Sequence, residues 1–273
     1  MSVAVSGSER IAEAFESARA DGRRAALMPY MMAGFPDLER SRAVARAYAD
    51  RGADLVELGI PFSDPLADGP VIHAAGVAAL RAGVHIADAL SVTREIANDV
   101  PVVVMCYANL VLARGLERFV DMLVEAGASG LIVPDLPLEE APATLDACDQ
   151  RGVALVPLVA PTTPDDRLQA IGARARGFLY TVSLTGTTGE RGALRAGLPA
   201  EIARARARTE VPVAVGFGIG TPEQAATAAA AGADGVIVGS RLVRAAGESA
   251  DPATAVGELV GAFAAALRED PTG

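Results

Sequence analysis

Eight short β-branched runs alternate with longer alanine-rich segments, and a glycine joint recurs where four of those segments give way to a run. Together they predict an α/β chain, a TIM (β/α)8 barrel with an extra N-terminal helix. The runs are ALMPYMMA (26–33), DLVEL (54–58), PVVVMC (101–106), GLIVP (130–134), VALVPL (153–158), GFLYTV (177–182), VPVAVG (211–216) and DGVIVG (234–239). Each is apolar and bounded by Gly, Pro or Asp, the pattern of strands covered on both faces of a parallel sheet. Between them lie helical stretches such as ERSRAVARAYADR, LERFVDMLVEA, DDRLQAIGARA, AEIARARA and PEQAATAAAA. In ADRGADLVEL, VEAGASGLIV, DQRGVALVPL and AAAGADGVIV a helix ends at Gly52, Gly127, Gly152 or Gly232, and a strand follows within a few residues. Glycine accepts the left-handed backbone just past a helix end, so this is one αβ loop used four times. A doubly wound sheet is the alternative, but it rarely repeats so evenly. Ile11 and Phe15, one helical turn apart, predict a helix over about 8–21 that plugs the barrel bottom. A single domain is expected over 1–273, with the barrel over about 25–268 and a short C-terminal tail.

Composition narrows the chemistry. The 273 residues are 51% hydrophobic and carry a formal net charge of −10, with all 24 basic residues arginine and no lysine at all. Without a lysine amine there is no Schiff base with a carbonyl substrate or with pyridoxal phosphate, and no P-loop lysine. Two histidines (His73, His85) and two cysteines (Cys106, Cys148) are too few for a zinc cluster or a disulfide framework, so no metal is expected. An acidic chain without a basic block argues against nucleic acid and anionic membranes. MSVAVSGSER lacks a basic and apolar leader, and no stretch approaches a membrane span; a cytoplasmic location is expected.

Barrel chemistry collects at the C-terminal ends of strands. After the second strand, ELGIPFSDPLADGP (57–70) holds Glu57, Asp64 and Asp68 among three prolines, long for a βα loop. Glu57 lies in an apolar run, where loss of water raises a carboxyl pKa toward neutrality. The alternative for Asp64 and Asp68 is capping of the next helix or pairing with arginine. After the sixth strand, SLTGTTGERGALRAG (183–197) has the composition of a lid. Gly216, Gly218 and Gly220 follow the seventh strand, and Gly239 and Ser240 the eighth; paired turns there make a backbone phosphate site. Tyr30, Tyr107, Asn109, Asp135 and Tyr180 fall at strand ends, and the tyrosines with Phe217 would wall a flat ring.

ELGIPFSDPLADGP closely resembles the corresponding motif of the tryptophan synthase alpha subunit, an indole-3-glycerol-phosphate lyase. PYMMAGFPD (29–37), CYANLV (106–111), LIVPDLPLEE (131–140), TTGERG (187–192), GFGI (216–219) and VGS (238–240) follow in that family's order. The resemblance implies retro-aldol cleavage of indole-3-glycerol phosphate to indole and glyceraldehyde 3-phosphate. It implies Glu57 as the principal acid/base and Asp68 as acceptor of the indole N–H and stabiliser of a cationic intermediate. Gly189, Gly218, Gly239 and Ser240 match phosphate-binding positions. Tyr30, Tyr107, Leu131, Tyr180 and Phe217 match the indole pocket or its neighbourhood, and Thr188 the lid threonine. Pro61 and Asp64 match the surface that signals to a beta subunit. That partner of an α2β2 complex carries pyridoxal phosphate and receives the indole, so no cofactor is expected in this chain. The composition agrees: without lysine no iminium forms, and protonated indole within the substrate is itself an electron sink.

Three positions depart from the family pattern: His73 stands for glutamine, Leu184 for arginine, and Tyr30 for phenylalanine. The first two bear on lid closure and coupling to the partner. The alternatives are a stand-alone indole-releasing lyase, a non-catalytic beta-activating subunit, which the presence of both Glu57 and Asp68 opposes, and another phosphate-binding barrel. A sugar-phosphate isomerase would share the glycine turns without ELGIPFSDPLADGP.

Overall fold

The computed structural model describes residues 5–182, 197–216 and 218–268. Among the described residues nine strands form one all-parallel sheet: β1 (Ala26–Met32), β2 (Val56–Gly59), β3 (Val102–Met105), β4 (Gly130–Ile132), β5 (Ala154–Leu155), β6 (Leu158–Val159), β7 (Leu179–Val182), β8 (Val213–Gly216) and β9 (Gly235–Val238). Their order is β5-β4-β3-β2-β1-β9-β8-β7-β6. The two end strands are consecutive in the chain, separated only by Val156 and Pro157, so the ring closes through them. Val156 N donates to Leu131 O at 2.9 Å on one side, and Tyr180 N donates to Pro157 O at 3.0 Å on the other. The expected single strand 153–158 is therefore split, because Pro157 has no N–H to continue a ladder. Counted as one crossing, β5 and β6 complete the eight strands of a (β/α)8 barrel.

Alternation sorts the residues into two cores. The outward-facing Leu27, Val56, Leu58, Val104, Leu131 and Val236 pack beneath the surrounding helices. The inward-facing Ala26, Met28, Leu55, Val103, Ile132, Phe178, Ala214 and Ile237 fill the lumen together with Ile11 and Phe15 of the helix Gly7–Ala20. That helix is the expected plug. Ser6 caps it with a reciprocal capping box to Glu9, which sets where it begins. Phe15 is 2% exposed, and its ring meets Phe178 with centroids 6.1 Å apart. Phe15→Ala is expected to cost about 3–5 kcal/mol in a urea denaturation series, with the site at the opposite end of the barrel undisturbed.

All four glycine joints have positive φ: +100° at Gly52, +76° at Gly127, +71° at Gly152 and +98° at Gly232. Beneath β1, Arg23 Nη1 donates to Asp54 Oδ2 at 2.6 Å, while that oxygen also accepts from Leu27 N at 2.8 Å. No single helix among the described residues is long and apolar enough to cross a membrane.

Candidate active site

Glu57 lies on β2 between Leu55, which faces the lumen, and Gly59 at the strand end, so alternation turns its side chain inward. It is 1% exposed, and its Oε2 is buried without a hydrogen-bond partner. Burial, and secondarily the nearby charge of Asp68, pushes its carboxyl up to about 8. An unpaired buried carboxyl is costly, and such a cost is characteristic of a group kept for reaction rather than for structure.

Asp68 ends the loop after β2, immediately before Gly69, the N-cap of the helix Pro70–Arg81. Partial burial raises its carboxyl, opposed by a hydrogen bond from Tyr107 and by His73. Tyr107 Oη donates to Asp68 Oδ1 at 2.8 Å and accepts from Ala67 N at 3.0 Å, so one phenol fixes both the carboxylate and the loop that bears it. Phe62 stacks on the Tyr107 ring with centroids 5.2 Å apart and planes at 25°. Phe62 was not singled out from the sequence; the signal was an aromatic residue among the prolines of the loop itself. Tyr107 is in turn the N-cap of the short helix Ala108–Leu112, whose Ala108 N donates to Asp135 Oδ1 at 2.8 Å. Asp135 thus serves structure here.

Tyr30 pairs in register with Glu57, and Tyr180 stands on β7. Each phenol lies over a glycine at the end of the adjacent strand. A Cβ on Gly216 would come 2.5 Å from Tyr180 Oη, and one on Gly59 would overlap Tyr30 Oη. These two positions have to be glycine for the rings to lie as they do. Leu131 departs from its expected place: it is on the outward face of β4, packed beneath the helices, and Ile132 faces the lumen instead. The reason is the two-residue period of a strand, which sends neighbours to opposite faces. In the loop, Pro61 is buried and Asp64 exposed, with Ser63 Oγ donating to Asp64 Oδ2 at 2.6 Å. Asp64 alone of that pair offers a side chain to a partner. Leu66, 88% exposed on the same loop, adds an apolar one.

The two glycine turns differ. Thr221 caps the helix Pro222–Ala230 reciprocally with Gln224, whose Oε1 also accepts from Gly220 N at 2.7 Å. Those amides are engaged within the chain. Gly239, N-cap of the helix Ser240–Glu248, has no side-chain cap, which leaves the first amides of that helix to an anion. Gly218 holds a positive φ of +58° between the two. Leu184, Thr188, Gly189 and Phe217 lie outside the described residues. Among the described residues no group of three or more His, Cys, Asp or Glu is placed to hold a metal.

The geometry joins an inward carboxyl, a second carboxylate on a phenol and an uncapped helix end at one barrel mouth. The family model described as tryptophan synthase alpha chain matches residues 15–268. The chain belongs to the tryptophan synthase alpha chain family. A tryptophan synthase alpha chain of Synechococcus elongatus is 46% identical over 235 residues, covering 85% of this chain and 88% of the relative. That of Rippkaea orientalis is 43% identical over 264 residues, covering 95% and 98%. Among solved structures, tryptophan synthase of Mycobacterium tuberculosis superposes with a TM-score of 0.89 at 40% identity, covering 96% of this chain and 99% of that one. The a2b2 tryptophan synthase complex of Pyrococcus furiosus superposes with a TM-score of 0.83 at 35% identity, covering 89% and 98%. Alpha chain family membership fits the barrel, the loop after β2 and the turns after β8 and β9 as described.

Proposed function

We propose that this chain cleaves indole-3-glycerol phosphate to indole and glyceraldehyde 3-phosphate, a carbon–carbon lyase acting as the alpha subunit of an α2β2 tryptophan synthase. The observation that carries the reading is the Glu57 carboxyl, buried, unpartnered and held near neutrality beside Asp68. Protonated Glu57 donates to indole C3, and the cation so formed on the ring nitrogen is stabilised by Asp68. The Glu57 carboxylate then takes the proton of the substrate hydroxyl as the carbon–carbon bond breaks. The bonding pair returns to the ring and neutralises the nitrogen, the oxygen becomes the aldehyde, and Glu57 ends protonated as it began. The phosphate lies on the amides at Gly239 and Ser240, with Gly218 beside them and Gly189 from the segment outside the described residues. Tyr107 and Tyr180 flank the ring; Phe217 and Thr188, which the resemblance assigns to the ring wall and the lid, lie outside the described residues. Leu131 supports this wall only from behind.

Asp64 faces the beta subunit, with Pro61 supporting its loop from beneath. Pyridoxal phosphate belongs to that partner and takes no part in this chain's step. Residues 1–273 act as one domain, in the cytoplasm. The test is indole release from indole-3-glycerol phosphate, alone and with a tryptophan synthase beta subunit. The expected result is slow release alone, stimulated about ten-fold or more by the partner, within the usual span of coupling between sites. Rapid release without stimulation would mark a stand-alone lyase, and no release in either arm defeats the proposal.

A further inference from the structure

The hydroxyl of Tyr30 is left over from both packing and the reaction above. Tyr30 pairs with Glu57 in register, and its ring leans along the strand until Oη lies over Gly59. Gly59 is two residues beyond Glu57 on the same inward face, so the phenol oxygen occupies the layer directly above the Glu57 carboxyl. The groups that act on the phenol are Asp68, Glu57, Tyr107 and Tyr180 in that order, which puts the oxygen inside the ring of site residues. Tyr48 Oη donates to the Tyr30 carbonyl at 3.2 Å and fixes the backbone from which the ring projects. The side chain itself makes no hydrogen bond to any described residue, although Tyr30 is only 6% exposed. The phenol oxygen is not among the described side-chain atoms buried without a partner, so its tip stays open to the space at the barrel mouth, where it can donate to a ligand. Burial and the two carboxylates hold it far above its ordinary range, so it stays neutral and keeps its proton to donate. Phenylalanine would fill the same wall without the oxygen.

The donor needs an oxygen acceptor, and the indole ring offers only an N–H. The phosphate end is separate: Gly239 approaches Tyr30 at its Cβ, with 3.7 Å to a Cβ built on the glycine, whereas Oη points away to Gly59. What lies between is the substrate's three-carbon chain.

We propose that Tyr30 is a substrate-contacting specificity residue whose hydroxyl donates a hydrogen bond to a hydroxyl oxygen of that chain, between the points where Glu57 and Asp68 act. The inference rests on the proposed reaction. Its test is Tyr30→Phe, assayed with the beta subunit for cleavage of indole-3-glycerol phosphate and for inhibition by indole-3-propanol phosphate, which keeps ring and phosphate but lacks the hydroxyls. The expected result is a KM raised about three- to ten-fold, the worth of one neutral hydrogen bond, with inhibition by the hydroxyl-free probe unchanged. Equal weakening toward both ligands shows a packing role and overturns the inference; so does an unchanged KM. Absence of cleavage by the unaltered chain overturns the reaction itself, and this inference with it, so the two failures are distinct.

Discussion

Glu57→Gln is expected to lower the rate of indole release by about 10²- to 10⁴-fold, the usual worth of a positioned acid/base. Glutamine keeps the side-chain volume and removes only the titrating proton, so the loss measures proton transfer and not packing. The same variant has a stability readout of known sign. The folded carboxyl sits at about 8 against an ordinary value of 4.5. Between those pH values the native state holds a proton that the unfolded chain has released. Stability contributed by this group is therefore complete below pH 4.5 and lost as pH rises through about 8. Glu57→Gln flattens that slope: the variant gains on the parent chain as pH rises toward 8, in denaturation midpoints taken across the window, while its indole release stays depressed throughout. Midpoints that track the parent's at every pH would show that Glu57 is not the buried proton carrier.

Asp68→Asn is expected to cost about 10²- to 10³-fold, the range for removing one preorganised electrostatic contact to developing charge. Asparagine's carbonyl still accepts from Tyr107 Oη, and Tyr107 still holds Ala67 N, so the loop keeps its shape. What disappears is the negative charge facing the cationic ring. That charge is also the second cause of the raised Glu57 carboxyl, so the Glu57 titration moves down from about 8 in this variant. A pH–rate profile whose basic limb stays in place would separate the two carboxylates and defeat their coupling.

Much of this site was legible in the sequence because strand ends and glycines carry geometric meaning on their own. Glu57 stands two residues before Gly59 in an apolar run, and the inward turn of its side chain follows from alternation alone. The four joints at Gly52, Gly127, Gly152 and Gly232 are helix ends whose left-handed backbone only glycine enters cheaply. What was not legible depended on partners distant in the chain. Phe62 and Tyr107 meet only once β2 and β3 are adjacent, and Gln224 takes the Gly220 amide only when its helix is capped. Leu131 was misplaced for a different reason. Its motif was matched by position, while the facing of each residue follows the two-residue period, which assigns the lumen to Ile132. The break at Pro157 was written in the sequence, since proline cannot donate to a ladder.

The ring of strands also has an uneven relation to the chain. Every joint but one is made between neighbours in sequence, including the split crossing at Pro157. The exception is β1 against β9, where Ala26 meets Gly235 and Pro29 meets Val238. Nearly the whole chain is looped out between them. Loop-closure entropy makes this the contact that raises contact order and slows folding. Phe15 of the plug helix lies against the same joint, 3.0 Å from where a Cβ on Gly235 would stand. The plug therefore fastens the chain's two ends where topology makes their meeting most expensive, and the barrel mouth inherits a frame that is completed only when first and last strands have met.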